Sequence, residues 1–398
     1  MRRVLAVLAL FAFVAAPRAQ QPVTVQQYLD VWQQASNVPG VAVGIVLKDG
    51  TVISAAAGES DRESHRKMQP TDLMLAGSTG KTFFAAVALQ LIEEGKLDLN
   101  APISKYLGSR PWFSRLPNAK DVTVRHLMTH TSGIIRYEFD DKFIKDLRAN
   151  PGKVWTPEEE LAYLFDTAAP FAAGQGWDYS DTNYIVLGLI VEDLLGVGRG
   201  LNVGPGFSPG TYYAEIDKRF LKPIGLKGVV PSTSRRIPGL VQGYAGANDP
   251  LGLGGAVIKD GEFVVNPQFE WAGGGFATSA VDLARWGHEL YSPNGKALSA
   301  KARAMMIDAA VPARLGAGSK YGLGVIIRPP DVGRGFSPGS TTWGHSGFFP
   351  GYLSELIYVV DTGVTLAIQI NTSGQRSQGS ASPLRVLYAL AELLGNAK

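Results

Sequence analysis

The chain has 398 residues, 45% of them apolar and 18% charged, with 38 lysines and arginines against 35 acids and a formal charge of +3. This length and composition fit a globular protein with a sizeable core and exclude a disordered or fibrous chain. Cysteine is absent, which excludes disulfides, thiolate metal sites and a cysteine nucleophile, and there are only 5 histidines, so neither a metal nor another cofactor is expected.

Residues 1–19 have the make-up of a secretory signal: Arg2 and Arg3, then an apolar run from Val4 to Ala16 that is too short to span a bilayer. Cleavage after Ala19 would also remove Arg18 and leave a mature chain with no net formal charge. The pI near 8.8 therefore gives no support for nucleic-acid binding. The expectation is a periplasmic or secreted protein with no integral membrane segment in the mature chain.

Val23–Ala35 has helical spacing. GVAVGIVLKDGTVISAAAG then reads as a hairpin: strand Val41–Leu47, a Lys-Asp-Gly turn, and strand Thr51–Ala57. Helical patterns follow at Lys81–Glu94, Val124–Thr129, Pro157–Phe165, Tyr184–Leu195, Tyr212–Leu221 and Ala280–Tyr291. Residues 136–156, 196–211 and 328–340 read as loops. A second hairpin, YLSELIYVVDTGVTLAIQIN, precedes a last helix that opens at Pro383 and runs to about Leu394. Strands at both ends with helices between predict an α/β (α+β) fold. Residues 20–98 and 270–398 would build an antiparallel sheet flanked by helices, and residues 99–269 an inserted, mostly helical lobe.

Three serine contexts invite chemistry. The stretch GSTGKT (77–82) resembles a phosphate-binding loop, but that loop needs a glycine where Leu75 stands and a buried parallel strand before it. GFSPG occurs at Ser208 and Ser337 and matches G-x-S-x-G, yet each copy lies in a Gly/Pro loop with proline after the serine, where a strand-to-helix elbow is required. Both copies read as turns. In STGK, by contrast, Ser78 and Lys81 stand three apart at the start of an apolar helix, so the two side chains share a face. Burial would lower the pKa of the amine, and the helix start offers free N–H groups to a developing oxyanion.

Farther on, WDYSDTNYIVLG places Tyr179 and Asp181 ahead of a helix, and WGHSGFFPGY places His345, Gly347 and Phe348 ahead of a strand. With STGK, YSD and HSG in this order, the chain resembles the serine penicillin-recognising family of D-Ala-D-Ala carboxypeptidases, class C β-lactamases, D-aminopeptidases and related esterases. LMTHTSGI (127–134), FLKPIGL (220–226) and EWAGGGFATSAVDLARWG (270–287) resemble family segments too, so the likeness runs from about Pro39 to the last helix.

The resemblance implies that Ser78 attacks a carbonyl, that Lys81 takes its proton or holds the network that does, and that Tyr179 is the general acid and base. It implies an oxyanion hole from the N–H groups of Ser78 and Phe348, and substrate contacts from Asp181, His345 and Gly347. Two positions depart from the family pattern. Asp181 stands where asparagine is usual; it would pair with Lys81 or favour a substrate bearing an amine. His345 replaces a lysine, and an ordinary histidine there would titrate and give an acidic limb to the pH–rate profile. His130 reads as a loop tie. Gly273, Gly274 and Gly275 read equally well as a cleft border and as a turn. Trp343, Phe348, Phe349 and Tyr352 are candidates for an acyl pocket as well as for core.

The implied activity is an exported serine hydrolase acting on a peptide, ester or β-lactam. A D-Ala-D-Ala carboxypeptidase-like or D-amino-acid peptidase comes first, an esterase second and a β-lactamase third. A non-catalytic penicillin-binding sensor is the alternative of another class. The oligomeric state is left open.

Overall fold

The computed structural model describes residues 23–197, 207–208, 210–330, 339–374 and 382–395. The signal read from residues 1–19 and the second GFSPG serine, Ser337, lie outside them. Ser208 sits in an irregular stretch, where its carbonyl accepts the Thr211 hydroxyl at 2.8 Å.

The two end hairpins form as expected and join each other. Strand Gly40–Val46 pairs antiparallel with Val52–Asp61 on one side and with Val364–Ile370 on the other. Tyr352–Val359 and Thr342–Phe349 extend the sheet, followed by the short strands Ile326–Arg328, Lys320–Tyr321 and Val311–Pro312. With Arg66–Lys67 at the far edge, nine strands make one antiparallel sheet drawn from both ends of the chain. All seven residues of Gly40–Val46 and all eight of Tyr352–Val359 are buried. Both faces are therefore covered, which is why these stretches read as unbroken apolar runs rather than as alternation.

The terminal helices Val25–Ser36 and Pro383–Gly395 cover one face, around Leu29, Val41, Ile368 and Leu387. Ala280–Tyr291 covers the other and connects the sheet to the larger core. Gly44 permits that contact, since a Cβ there would stand 2.4 Å from the Ala280 carbonyl oxygen.

The helical patterns appear at Lys81–Glu93, Val124–Met128, Pro157–Ala162, Thr182–Leu195, Tyr212–Ile216 and Ala280–Tyr291. The segment read as a loop at 136–156 contains a helix, Asp141–Ala149, capped by the Asp140 side chain. Its few apolar positions, Phe143, Ile144 and Leu147, make a stripe too short to register as periodicity. Ala300–Asp308 was not anticipated either, because it has almost no apolar face. Among the described residues no helix is long and apolar enough to cross a membrane.

Candidate active site

Ser78 lies in a single tight helical turn, Gly77–Gly80, that runs directly into the helix Lys81–Glu93. The two-residue strand Met74–Leu75 before it pairs antiparallel with Phe276–Thr278, unlike the parallel strand a phosphate loop needs. Backbone packs on backbone on both sides of this turn. A Cβ at Gly80 would stand 2.2 Å from the Gly274 carbonyl oxygen, and one at Gly77 would stand 2.4 Å from the Phe348 carbonyl oxygen. Gly347 is held the same way, 2.0 Å from the Ala76 carbonyl oxygen by that measure and 2.2 Å from Ser354 Oγ. The room left by its missing side chain is thus used inside the protein. Gly274 also needs to be glycine for its φ of 146°.

Lys81 is completely buried. Its ammonium donates to Ser78 Oγ at 2.9 Å, to the Gly273 carbonyl and to Asp181 Oδ1. An ammonium has three donors, and all three are taken. Two residues before Gly273, the Trp271 backbone turns back at φ 31°, a costly conformation for a residue with a side chain.

Asp181 occupies the N-cap position of Thr182–Leu195 but does not cap that helix. Its Oδ1 lies 3.4 Å from Ser78 Oγ, and its Oδ2 accepts from the Arg136 guanidinium at 2.6 Å. Burial alone would raise its carboxyl, but the Lys81 and Arg136 cations hold it well below the usual carboxylate range. Arg136 is brought there by its neighbours: the Tyr137 N–H donates to Thr182 Oγ1, and the Thr182 hydroxyl donates to the Ile135 carbonyl.

The Tyr179 ring lies 5.1 Å from Lys81 Nζ and 4.2 Å from the His130 ring. Its hydroxyl is buried without a hydrogen-bond partner among the described residues. Burial, and next the Asp181 carboxylate, push this phenol well above its ordinary value, with Ser78 acting the other way. In the resting site it keeps its proton. His130 ties the segment down: its Nδ1 accepts from the Ser180 N–H at 3.2 Å and bonds the Asn183 amide at 3.1 Å.

His345 differs from the titrating group expected of it. Its Nδ1 faces the Ser346 carbonyl at 2.7 Å and must donate there, which leaves Nε2 to accept from the Tyr321 hydroxyl at 2.8 Å. Burial, followed by the Lys81 charge, pushes it down to about 3. The imidazole is neutral across pH 5–8 and sets no acidic limb there.

Two cavities meet at Ser78. One, of about 400 Å³, is lined by Tyr179, His345, Gly347 and Arg328 among others. The second, narrower and about 50 Å³, lies between Phe269, Phe348 and Phe349 and the acids Glu138 and Glu270. Phe348 and Phe349 thus border this cavity, whereas Tyr352 is fully buried core and Trp343 stacks on Tyr358 away from it. Sequence reasoning missed Arg136, Glu138 and Glu270. Arg136 precedes and Glu138 lies within a short 3-10 turn, Tyr137–Phe139, but nothing local indicates that they meet Asp181.

Burial pushes Glu270 up to about 8, against the opposing pull of Lys81. The unfolded chain gives up this proton near pH 4.5 and the folded chain near 8, so stability falls as pH rises through that window. The slope is about 1.4 kcal/mol per pH unit, or about 3 kcal/mol by pH 7. Glu270→Gln is therefore expected to leave Tm nearly unchanged at pH 4 and to raise it by a few degrees at pH 8. Thermal unfolding of the substrate-free protein at both values checks this, and a pH-independent difference contradicts it.

Residues 24–390 match the family model described as Beta-lactamase. The chain is 30% identical over 251 residues to Esterase EstB of Burkholderia gladioli, covering 60% of this chain and 58% of that protein. It is also 30% identical over 192 residues to a Teichoic acid D-alanine hydrolase of Staphylococcus aureus, covering 47% and 41%. The match thus spans about three fifths or less of these curated relatives. The crystal structure of a D-stereospecific amidohydrolase from Streptomyces sp. superposes with a TM-score of 0.73 at 25% identity, covering 92% of this chain and 97% of that one.

Proposed function

The chain belongs to the beta-lactamase family, and from that premise we propose that it is an exported serine hydrolase working through an acyl-enzyme on Ser78, with D-amino-acid peptides of the D-Ala-D-Ala type as its first substrate class. The observation that carries this is the contact of Ser78 Oγ with Lys81 Nζ at 2.9 Å where two cavities meet. Export rests on the basic and apolar leader, and the D-amino-acid preference is supported by the likeness to a teichoic acid D-alanine hydrolase and to a D-stereospecific amidohydrolase.

In the proposed reaction Ser78 Oγ adds to the carbonyl carbon. The resulting oxyanion is held by the N–H groups of Ser78 and Phe348, whose backbones the Gly77–Phe348 approach brings together. Lys81 begins fully engaged as a donor, so the serine proton passes into the hydrogen bond that Lys81 shares with Asp181 and returns to Ser78 Oγ when the acyl-enzyme is cleaved. Tyr179, which retains its proton, gives it to the leaving amine or alkoxide and recovers a proton from the water that cleaves the acyl-enzyme.

An esterase is the second reading, favoured by the aromatic lining of the narrow cavity and by the likeness to EstB. A β-lactamase ranks third, because neutral His345 supplies no cation for a β-lactam carboxylate. Comparing kcat/KM for a D-Ala-D-Ala peptide, p-nitrophenyl butyrate and a chromogenic cephalosporin tests the order. The peptide is expected to lead; a lead of tenfold or more for the ester replaces the peptidase with the esterase.

A further inference from the structure

Giving a proton to the leaving group turns Tyr179 into a phenolate, and both departures from the family pattern work against that charge. Asp181 adds a carboxylate where asparagine is usual; burial, and next that carboxylate, push the phenol up. His345 is neutral and supplies no cation, although its ring lies 6.1 Å from the Tyr179 ring. His130, packed on Tyr179 at 4.2 Å, is kept neutral by burial as well.

Arg136 acts in the opposite sense. Its guanidinium carbon lies 5.4 Å from the centre of the Tyr179 ring, and its charge pulls the phenol down. The guanidinium is fixed by three contacts: Nε donates to Glu138 Oε1 at 2.5 Å, Nη2 donates to Asp181 Oδ2 at 2.6 Å, and the Phe139 ring centre lies 4.1 Å from the central carbon. The side chain lines both cavities that meet at Ser78. Glu138 does not cancel it. Burial pushes this acid up to about 8, so at pH 7 it keeps its proton and hydrogen-bonds Asp181. Glu270, also pushed up to about 8 by burial, is neutral there too. Beside the phenol, Lys81 and Arg136 thus stand against one ionised acid, Asp181, among the described residues, and a positive charge is left over.

We propose that Arg136 is the charge partner of Tyr179: it stabilises the phenolate left when the Tyr179 proton passes to the leaving group, and so makes poor leaving groups usable. This rests on the acyl-enzyme reading of Ser78 and adds to it a residue that acts through Tyr179. As the bond from the carbonyl carbon to the leaving nitrogen or oxygen breaks, that atom keeps the bonding pair and takes the Tyr179 proton. When water then cleaves the acyl-enzyme, the phenolate takes a proton from it, and Arg136 again faces a neutral phenol. The demand on Arg136 rises with the basicity of the leaving group, because p-nitrophenolate departs without a proton and an alkoxide does not.

The test compares the p-nitrophenyl and ethyl esters of N-acetyl-D-alanine, which share one acyl-enzyme. Their kcat/KM values cover the steps through acylation, so they differ in the departure of the alcohol. Arg136→Met is expected to lower kcat/KM for the ethyl ester at least about tenfold more than for the p-nitrophenyl ester. Tyr179→Phe is expected to show the same bias. The double variant should lose no more than Tyr179→Phe alone, because Arg136 then has no phenolate to serve. Equal losses on the two esters in Arg136→Met overturn the proposal, as does a double variant in which the two losses multiply. Ser78→Ala separates this inference from the reading beneath it. Parental turnover in that variant, or a parent that cleaves neither ester, removes the acyl-enzyme and the role of Arg136 together. An unbiased Arg136→Met beside an inactive Ser78→Ala overturns the role of Arg136 alone. If Arg136→Met does not fold, Arg136→Gln, which keeps N–H donors without the charge, decides it by the same ratio.

Discussion

Ser78→Ala is expected to lower kcat/KM for p-nitrophenyl butyrate by at least about 10⁴-fold and to abolish labelling by a fluorescent penicillin. The size follows from the arrangement. Among the described residues Ser78 Oγ is the one hydroxyl that Lys81 hydrogen-bonds, at 2.9 Å, and its removal deletes the nucleophile together with an acceptor for that ammonium. No neighbouring side chain replaces it: Thr79 Oγ1 is turned away toward the Ala76 carbonyl at 2.8 Å. The fold should survive, because glycine backbones hold the turn and the serine side chain does not. A folded Ser78→Ala protein with parental turnover would sink the mechanism. Loss of that activity on Ser208→Ala would then identify the first GFSPG as the nucleophile.

Asp181→Ala should show the largest loss of stability. The carboxylate sits between Lys81 and Arg136, and its removal leaves the fully buried Lys81 without a counter-charge, while the partly buried Arg136 keeps only Glu138. Breaking a buried pair from one side costs about 3–5 kcal/mol. The pH dependence has a definite sign. The folded-state pKa of Asp181 is depressed, so its contribution is complete above the unfolded value of 3.8 and is lost as pH falls below it. Denaturant unfolding should therefore separate parent from variant widely at pH 7 and much less near pH 3. Asp181→Asn keeps an oxygen for Lys81 and should retain more activity than Asp181→Ala, in which kcat/KM falls at least tenfold. A loss in Asp181→Asn as large as that in Asp181→Ala would mean that the charge matters more than the positioning of Lys81.

Much of this molecule can be read from local pattern. The hairpins at the two ends carry continuous apolar strands around Lys-Asp-Gly and Asp-Thr-Gly turns, and those turns require only neighbouring residues. STGK, YSD and HSG were visible for the same reason, and the fold brings Ser78, Lys81, Tyr179, Asp181 and His345 to one place. The rest depends on distant contacts. Arg136 meets Asp181 across 45 residues, and Lys81 meets the Gly273 carbonyl across 192, with no periodicity to mark either. The neutrality of His345 comes from burial beside Tyr321, which lies on a strand too short to recognise. Asp141–Ala149 was hidden because a helix of nine residues with a largely polar surface resembles a loop in composition.

The turn that carries Ser78 is gripped by main chain from two directions: Gly274 against Gly80, and Phe348 against Gly77. This separates what can evolve from what cannot. Side chains at 138, 269, 270 and 349 can be exchanged in a library without moving the nucleophile, because none of them supplies that grip. Alanine at 77, 80 or 274 would displace it whatever the substrate. New acyl specificities should therefore be sought by recombining the narrow cavity's lining, with the three glycines held constant.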